Sequence, residues 1–334
     1  MANASLQQTM SPLAIYLQDE AINEIMINRP NEVWLDNGKA IFQHKIDFPL
    51  RLMQRFANLI AAESGQEINE QKPLLSAMLP GGHRVQLILS PACKCLDEEQ
   101  QWQDTVCLSI RKKSDAILDL NTFTSQGGFT QLSDKTDTKI NKLTELYSLK
   151  QYQEFLIKAV QYKKNILISG GTYSGKTSLL NMLLDCIDKD ERIISIEDTP
   201  ELKIPSKNQV RLFYSRGMQS SAQITSHDLL NAALRMRPDR IIMGELRDDD
   251  AVCWLQAINT GHEGTITTIH SDTPFLAIQK LADMVRMKYP MQTEHSIKQY
   301  IQTVVDVIIQ IKREPKTGTR FISDILFLKE TLCS

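Results

Sequence analysis

Residues 166 to 177 constrain this chain more than any other stretch. Ile166-Leu167-Ile168-Ser169 is an apolar run of strand length that breaks directly into Gly170-Gly171-Thr172-Tyr173-Ser174-Gly175-Lys176-Thr177. The spacing matches G-x-x-x-x-G-K-[ST], a turn whose backbone N–H groups wrap phosphates while the following helix adds its positive end. The context agrees, because Ser178 to Ile187 carries apolar residues at helical spacing without Gly or Pro. Strand, loop and helix therefore occur in the order such a site needs. Gly170, Gly171, Thr172, Tyr173, Ser174, Gly175, Lys176, Thr177 and Ser178 are predicted to hold ATP, with Lys176 at the β- and γ-phosphates. Thr177 supplies a hard oxygen for Mg²⁺.

The 334 residues, 42% of them hydrophobic, are enough for two domains, each with its own core. A net charge of −2 gives no whole-chain electrostatic case for nucleic acid, and only a local basic cluster such as Arg111, Lys112 and Lys113 keeps that option open. The first residues lack a basic stretch followed by an apolar core, so a signal peptide is not expected. No apolar run reaches the roughly 20 residues needed to span a bilayer, so any membrane association is read as peripheral, through partners. The cysteines at 93, 95, 107, 186, 253 and 333 include one C-x-C without a second pair, which argues for reduced thiols and against a zinc site.

The pattern changes near the middle of the chain. From 1 to 112 it predicts an α+β domain: a short helix, strands at Ile25–Asn28 and Glu32–Leu35, an Asp36-Asn37-Gly38 turn into Ala40–Phe42, a helix over 52–62, and strands at 84–89 and 105–110. Residues 113–148 turn polar and read as a linker with one short helix. From 149 to 334, strands at 166–169, 192–196, 210–214, 240–243 and 265–269 alternate with helices, as a mostly parallel sheet requires. A helix over 226–236 opens on Thr225-x-x-Asp228, a capping-box pattern, and ends before Pro238. The fold class is thus α/β: a P-loop C-terminal domain preceded by a smaller α+β domain.

A phosphate loop also needs carboxylates at the C-terminal ends of neighbouring strands, where ligands of open α/β sheets bind. Two strands end that way: Ile193-Ile194-Ser195-Ile196-Glu197-Asp198, and Ile241-Ile242-Met243-Gly244-Glu245. One carboxylate can orient or deprotonate water while the other holds Mg²⁺ through its water shell. His270 closes the strand Thr265–Ile269, from which an imidazole can reach the γ-phosphate or a carboxylate. His262 reads as an ordinary polar residue. Lys176, Glu197, Glu245 and His270 are the catalytic candidates.

These segments resemble, in order, the Walker A, Asp, Walker B and His boxes of the secretion traffic ATPases, of the VirB/Trb type that powers bacterial type IV secretion and conjugation. The resemblance is specific from Gly170 to His270 and weaker around Ile22–Pro30 and Gly81–Gln86. It implies a RecA-like C-terminal domain, a homo-hexamer with nucleotide between two stacked domain rings, and N-terminal arginines on the phosphates, at positions matching Arg84 and Arg111. It further implies docking to inner-membrane components at the cytoplasmic face and transport of protein or DNA. Arg235, Arg237, Arg240 and Arg247 crowd the Walker B box without indicating which faces a neighbouring subunit. Tyr173 departs from the small residue usual there; a positive φ at that position would strain it and slow turnover. Type II motors resemble the chain but often carry a tetracysteine insert, and pilus retraction motors rank below the type IV reading. The same boxes would also serve a direct DNA translocase or a non-hydrolysing ring platform.

Overall fold

The computed structural model describes residues 4–113, 119–125, 127–129, 138–215 and 221–329; Cys333 and residues 133–137 of the polar segment lie outside them. In the N-terminal half, helices α1 (Ala4–Thr9), α2 (Ala14–Gln18) and α3 (Leu50–Glu63) cover strands β1 (Glu24–Ile27), β2 (Glu32–Asp36), β3 (Ile41–Lys45), β4 (Leu74–Met78), β5 (Arg84–Leu96) and β6 (Trp102–Arg111). All neighbouring pairs among these strands are antiparallel. The buried face of α3 is Met53, Phe56, Ala57 and Ile60, the i, i+3, i+4, i+7 spacing of one helical stripe. Leu52 and Leu59 sit at the margins of that face, only partly buried.

The polar segment contains α4 (Leu120–Ser125) and then α5 (Thr138–Ser148). Leu143 and Leu146 of α5 are buried in one cluster with Phe155, Val160 and Ile168, so this helix packs with the C-terminal half rather than spanning freely between the two. Its apolar positions three residues apart are obscured in the sequence by the charged residues around them.

The C-terminal half adds α6 (Tyr152–Gln161), β7 (Ile166–Gly170), α7 (Lys176–Leu184), β8 (Ile193–Glu197), β9 (Gln209–Phe213), α8 (Ser226–Ala233), β10 (Arg240–Met243), α9 (Asp250–Asn259), β11 (Ile266–Ile269), α10 (Pro274–Lys288), α11 (Glu294–Val304), β12 (Val307–Arg313) and β13 (Arg320–Phe327). Strand β7 lies between β11 and β12, parallel to both, and β13 closes that edge antiparallel. A second parallel set runs β10-β8-β9. The two sets meet where Leu246 N–H donates to the Thr268 carbonyl and the Thr268 hydroxyl to the Gly244 carbonyl. Strands β7, β8, β10 and β11 are buried along their whole length, as parallel strands covered by helices on both faces must be. The Thr225–Asp228 capping box forms in full at the start of α8, although the helix stops at Ala233, short of the expected 236.

The two halves share a sheet. Strand β9 pairs antiparallel with β5 through Cys93↔Leu212 and Lys94↔Arg211. Fully buried Arg192 reinforces the junction, its Nη1 donating to Asn28 Oδ1 at 2.7 Å and its Nε to the Met236 carbonyl at 2.9 Å. Desolvation pushes this guanidinium down to about 10.

Candidate nucleotide site

Parallel alignment puts the ends of β7, β8, β10 and β11 along one edge, and a cavity of about 370 Å³ opens there. It is lined by Lys176, Thr177 and Ser178 of the loop and α7, by Glu197 and Glu245, and by His270. The four catalytic candidates from four separate segments are thus brought together. Gly175 takes φ +98° just before Lys176, a conformation that suits glycine, and it leaves α7 without a side-chain cap. The first amides of α7 therefore face the cavity with no side chain to satisfy them, as an anion site requires. A Cβ on Gly170 would stand 2.5 Å from Ser174 Oγ and 2.7 Å from the Ile311 carbonyl, so the loop can fold this tightly only with glycine there. Tyr173 does have the positive φ expected of its position, +59°, and its ring is 81% exposed.

Lys176, Glu245 and His270 form one relay. Lys176 Nζ donates to the Gly171 carbonyl at 3.1 Å and lies 3.1 Å from His270 Nδ1. With Nδ1 accepting, the neutral imidazole keeps its proton on Nε2, which stands 2.7 Å from Glu245 Oε1. Arg247 grips the other oxygen of Glu245, its Nε donating at 2.8 Å. Desolvation lowers the Lys176 pKa, opposed by the Glu245 charge. Desolvation, then the Lys176 charge, lowers that of His270 and favours the neutral ring. Lys176 is the cation of this relay nearest the loop, where an anion would draw it.

Glu197 is built differently. It is 1% exposed; Oε2 accepts the backbone N–H groups of Glu201 and Leu202 at 3.1 and 3.0 Å. Oε1 accepts the Ser195 hydroxyl at 2.7 Å and Arg211 Nε at 2.9 Å. Four donors occupy the roughly four lone-pair positions of a carboxylate. These donors tie the carboxylate to the loop that carries Asp198 and Thr199 into the cavity, which Glu197 also lines.

Arg84 and Arg111 do not join this site within one chain. They face each other at the far ends of β5 and β6, nine residues, or roughly 30 Å of strand, from the junction at Cys93. There they line a separate cavity of about 760 Å³ with Arg235, Arg237 and Glu24. The structure also sorts the Walker B arginines. Arg240 is fully buried, held by both oxygens of Glu191 at 2.8 and 2.9 Å and by the Val160 carbonyl. Arg247 serves its own Glu245. Arg237 pairs with Asp36 at 2.6 Å, and Arg235 donates to Ser76.

Sequence reasoning missed Arg320. This residue of β13 lines the nucleotide cavity and approaches so closely that a Cβ on Gly175 would meet its Cδ at 2.7 Å. It missed Arg211 and Lys280 as well, the latter donating to the His270 carbonyl at 2.8 Å. These three lie outside recognisable boxes; strand order brings in Arg211 and Arg320, and helix α10 brings in Lys280.

Residues 130–325 match the family model described as type II/IV secretion system protein. The chain belongs to that family and is an ATPase. Among similar proteins are the type IV secretion system protein VirB11 of Bartonella henselae, 36% identical and covering 91% of this chain and 88% of the relative. PtlH of Bordetella pertussis is 32% identical over 95% and 93%. The crystal structure of the VirB11 ATPase from the Brucella suis type IV secretion system, in complex with sulphate, superposes with a TM-score of 0.89 at 32% identity, covering 98% of this chain and 96% of that one. That agreement spans both halves, so the RecA-like fold and the way the N-terminal half is mounted on it are those of this branch of the family. The start of α7 beside Lys176 carries no side-chain cap, an arrangement suited to an anion. Among the described residues, no helix is long and apolar enough to cross a membrane.

Proposed function

We propose that this ATPase works as a homo-hexameric ring on the cytoplasmic face of the inner membrane, powering a type IV secretion apparatus that moves protein or DNA. The observation that carries the ring is the separation of charges. The phosphate cavity has the loop, Glu245 and His270 but lacks the N-terminal arginines, whereas Arg84 and Arg111 lie beside a cavity without a loop. A neighbouring subunit that brings one cavity against the other supplies both halves of a site.

In that site Lys176 would leave His270 for the β- and γ-phosphates, and Thr177 would hold a Mg²⁺ that supplies charge neutralisation at the transferring phosphoryl group. Glu245 then orients or deprotonates the attacking water, with His270 relaying the presence of γ-phosphate to it. Arg84 and Arg111 stabilise the developing charge from across the interface. Phosphate release removes these charge-assisted contacts and frees the domains to move. The relay supports a hydrolysing motor over a passive platform, because Glu245 is held by side chains that can exchange partners.

Direct DNA gripping is less supported. In the basic cluster, Lys112 Nζ is spent on the carbonyls of Tyr16 and Asp19, and Arg111 lies 3.9 Å from Glu24. The test is a mixing experiment. Lys176→Ala and Arg111→Ala proteins, each impaired alone, should regain ATPase activity when combined, because some interfaces then carry an intact loop and an intact arginine. No recovery in a mixture that native mass shows to be hexameric would remove the shared site. A monomer that hydrolyses ATP at full rate would remove the ring.

A further inference from the structure

Arg211 joins the two halves of the molecule twice. Its backbone, in β9, forms one of the two residue pairs that bind the N-terminal sheet to the C-terminal one. Its side chain, 4% exposed, turns back toward the nucleotide edge, with Nη2 at 2.7 Å and Nε at 2.9 Å from Glu197 Oε1 and Nε also 3.0 Å from Ser195 Oγ. The guanidinium carbon lies 5.0 Å from the ring centre of Trp102, a residue of the N-terminal half at the start of β6. Phe213 buttresses that ring edge-on, with centroids 5.4 Å apart and planes at 89°. A cation over an indole face is held by the ring quadrupole, most strongly where water is excluded.

A cavity of about 620 Å³ separates the β5–β6 tip from the C-terminal half, and Trp102, Lys94, Arg211 and Leu202 all line it. Leu202 donates one of the backbone bonds that fix Glu197. A shift of the β5–β6 tip within this cleft therefore acts on Glu197 through the guanidinium, and on the neighbouring wall of the nucleotide cavity through the 198–202 loop.

We propose that Arg211 is a positioning residue through which the N-terminal domain, by way of Trp102, sets Glu197 and the loop behind the nucleotide. The inference rests on the ATPase reading of the cavity that Glu197 and the 198–202 loop line. A buried Arg–Glu pair that merely neutralises Glu197 would not depend on Trp102, and that difference makes the proposal testable.

The full-length protein is assayed for steady-state ATP hydrolysis, for affinity toward a fluorescent ADP analogue, and for the change in tryptophan emission when ADP is added. Trp102→Ala should lower kcat about tenfold with KM within about twofold, and Trp102→Phe, which keeps an aromatic face, should restore most of it. The ADP-dependent emission change attributable to Trp102, taken as the difference between the parent and Trp102→Phe, should disappear in Arg211→Lys while ADP affinity is retained. Unchanged kcat in Trp102→Ala, or an emission change that survives in Arg211→Lys, overturns the coupling. Glu197→Gln separates the two levels. If it turns over at the parent rate, the role of the Glu197 edge falls, and the emission measurement alone then decides whether Arg211 links the domains. Should Arg211→Lys fail to fold, the Trp102→Ala and Trp102→Phe pair decides by itself.

Discussion

The phosphate cavity and the arginine cavity both concentrate charge, yet they hold it in opposite ways. Around the phosphate loop, cations and carboxylates are matched: Lys176 leans on His270, His270 on Glu245, and Glu245 on Arg247. Around Arg84, Arg111, Arg235 and Arg237 the cations exceed the acids lining the cavity, and Glu24, buried to 8% exposure, retains an oxygen without a hydrogen bond. Burial raises its pKa to about 7 even with Arg111 beside it. A surplus of guanidinium groups favours an anion, and on the reading proposed above a neighbouring subunit brings it.

Experiments can break this contrast at either end. The largest effect is expected from Lys176→Ala, which should reduce phosphate release by at least ~10³-fold, since the lysine is the loop cation placed to meet the β- and γ-phosphates. An unchanged rate would mean that the cavity is not the reaction centre. Glu245→Gln should lower kcat by ~10²–10³-fold while a fluorescent ATP analogue binds as before, because the amide keeps the shape but cannot take a proton. Weakened binding with normal turnover would instead make Glu245 a structural partner of Arg247. Arg84→Ala or Arg111→Ala should cost ~10–100-fold in kcat without altering the fold measured by circular dichroism. If either leaves turnover intact, the arginine cavity completes nothing.

The smallest effect concerns stability alone. Because the folded pKa of Glu24 is raised from 4.5 to about 7, the folded state binds the extra proton, so its contribution is fully present below about pH 4.5 and lost as pH rises through about 7. That net shift, which already includes the Arg111 attraction, corresponds to at most ~3 kcal/mol. Glu24→Gln should therefore stabilise the protein by ~2 kcal/mol at pH 8 and hardly at all at pH 4.5, read from denaturant unfolding at the two pH values. Equal stabilisation at both would show that burial does not govern this carboxyl.

The contrast also separates what the sequence made legible from what it did not. The phosphate loop and the carboxylates of β8 and β10 could be read because phosphate chemistry demands fixed spacing after a strand, and hydrophobic runs mark the strands. That Glu197 is saturated could not be read, since its partners come from Ser195, a loop four to five residues on, and Arg211 on the next strand. Arg84 and Arg111 were found by resemblance, but their distance from their own loop depends on how β5 meets β9. Arg320 enters through the antiparallel edge strand β13, exposed through residues 320–324, where no spacing ties it to the phosphate loop. Local chemistry leaves marks in local sequence, whereas a residue recruited by strand order does not.

Helix α7 begins on a glycine that offers no side chain to its first amides. In thermodynamic terms this helix start is open to a bound anion, and on the proposed reading nucleotide would stabilise the fold as well as enter the reaction. At a hundred times its dissociation constant a ligand adds ~2.7 kcal/mol to the folded state. Each turnover that empties the site would then return the subunit to a looser fold, and the melting temperature of the protein becomes a direct gauge of how fully its sites are charged.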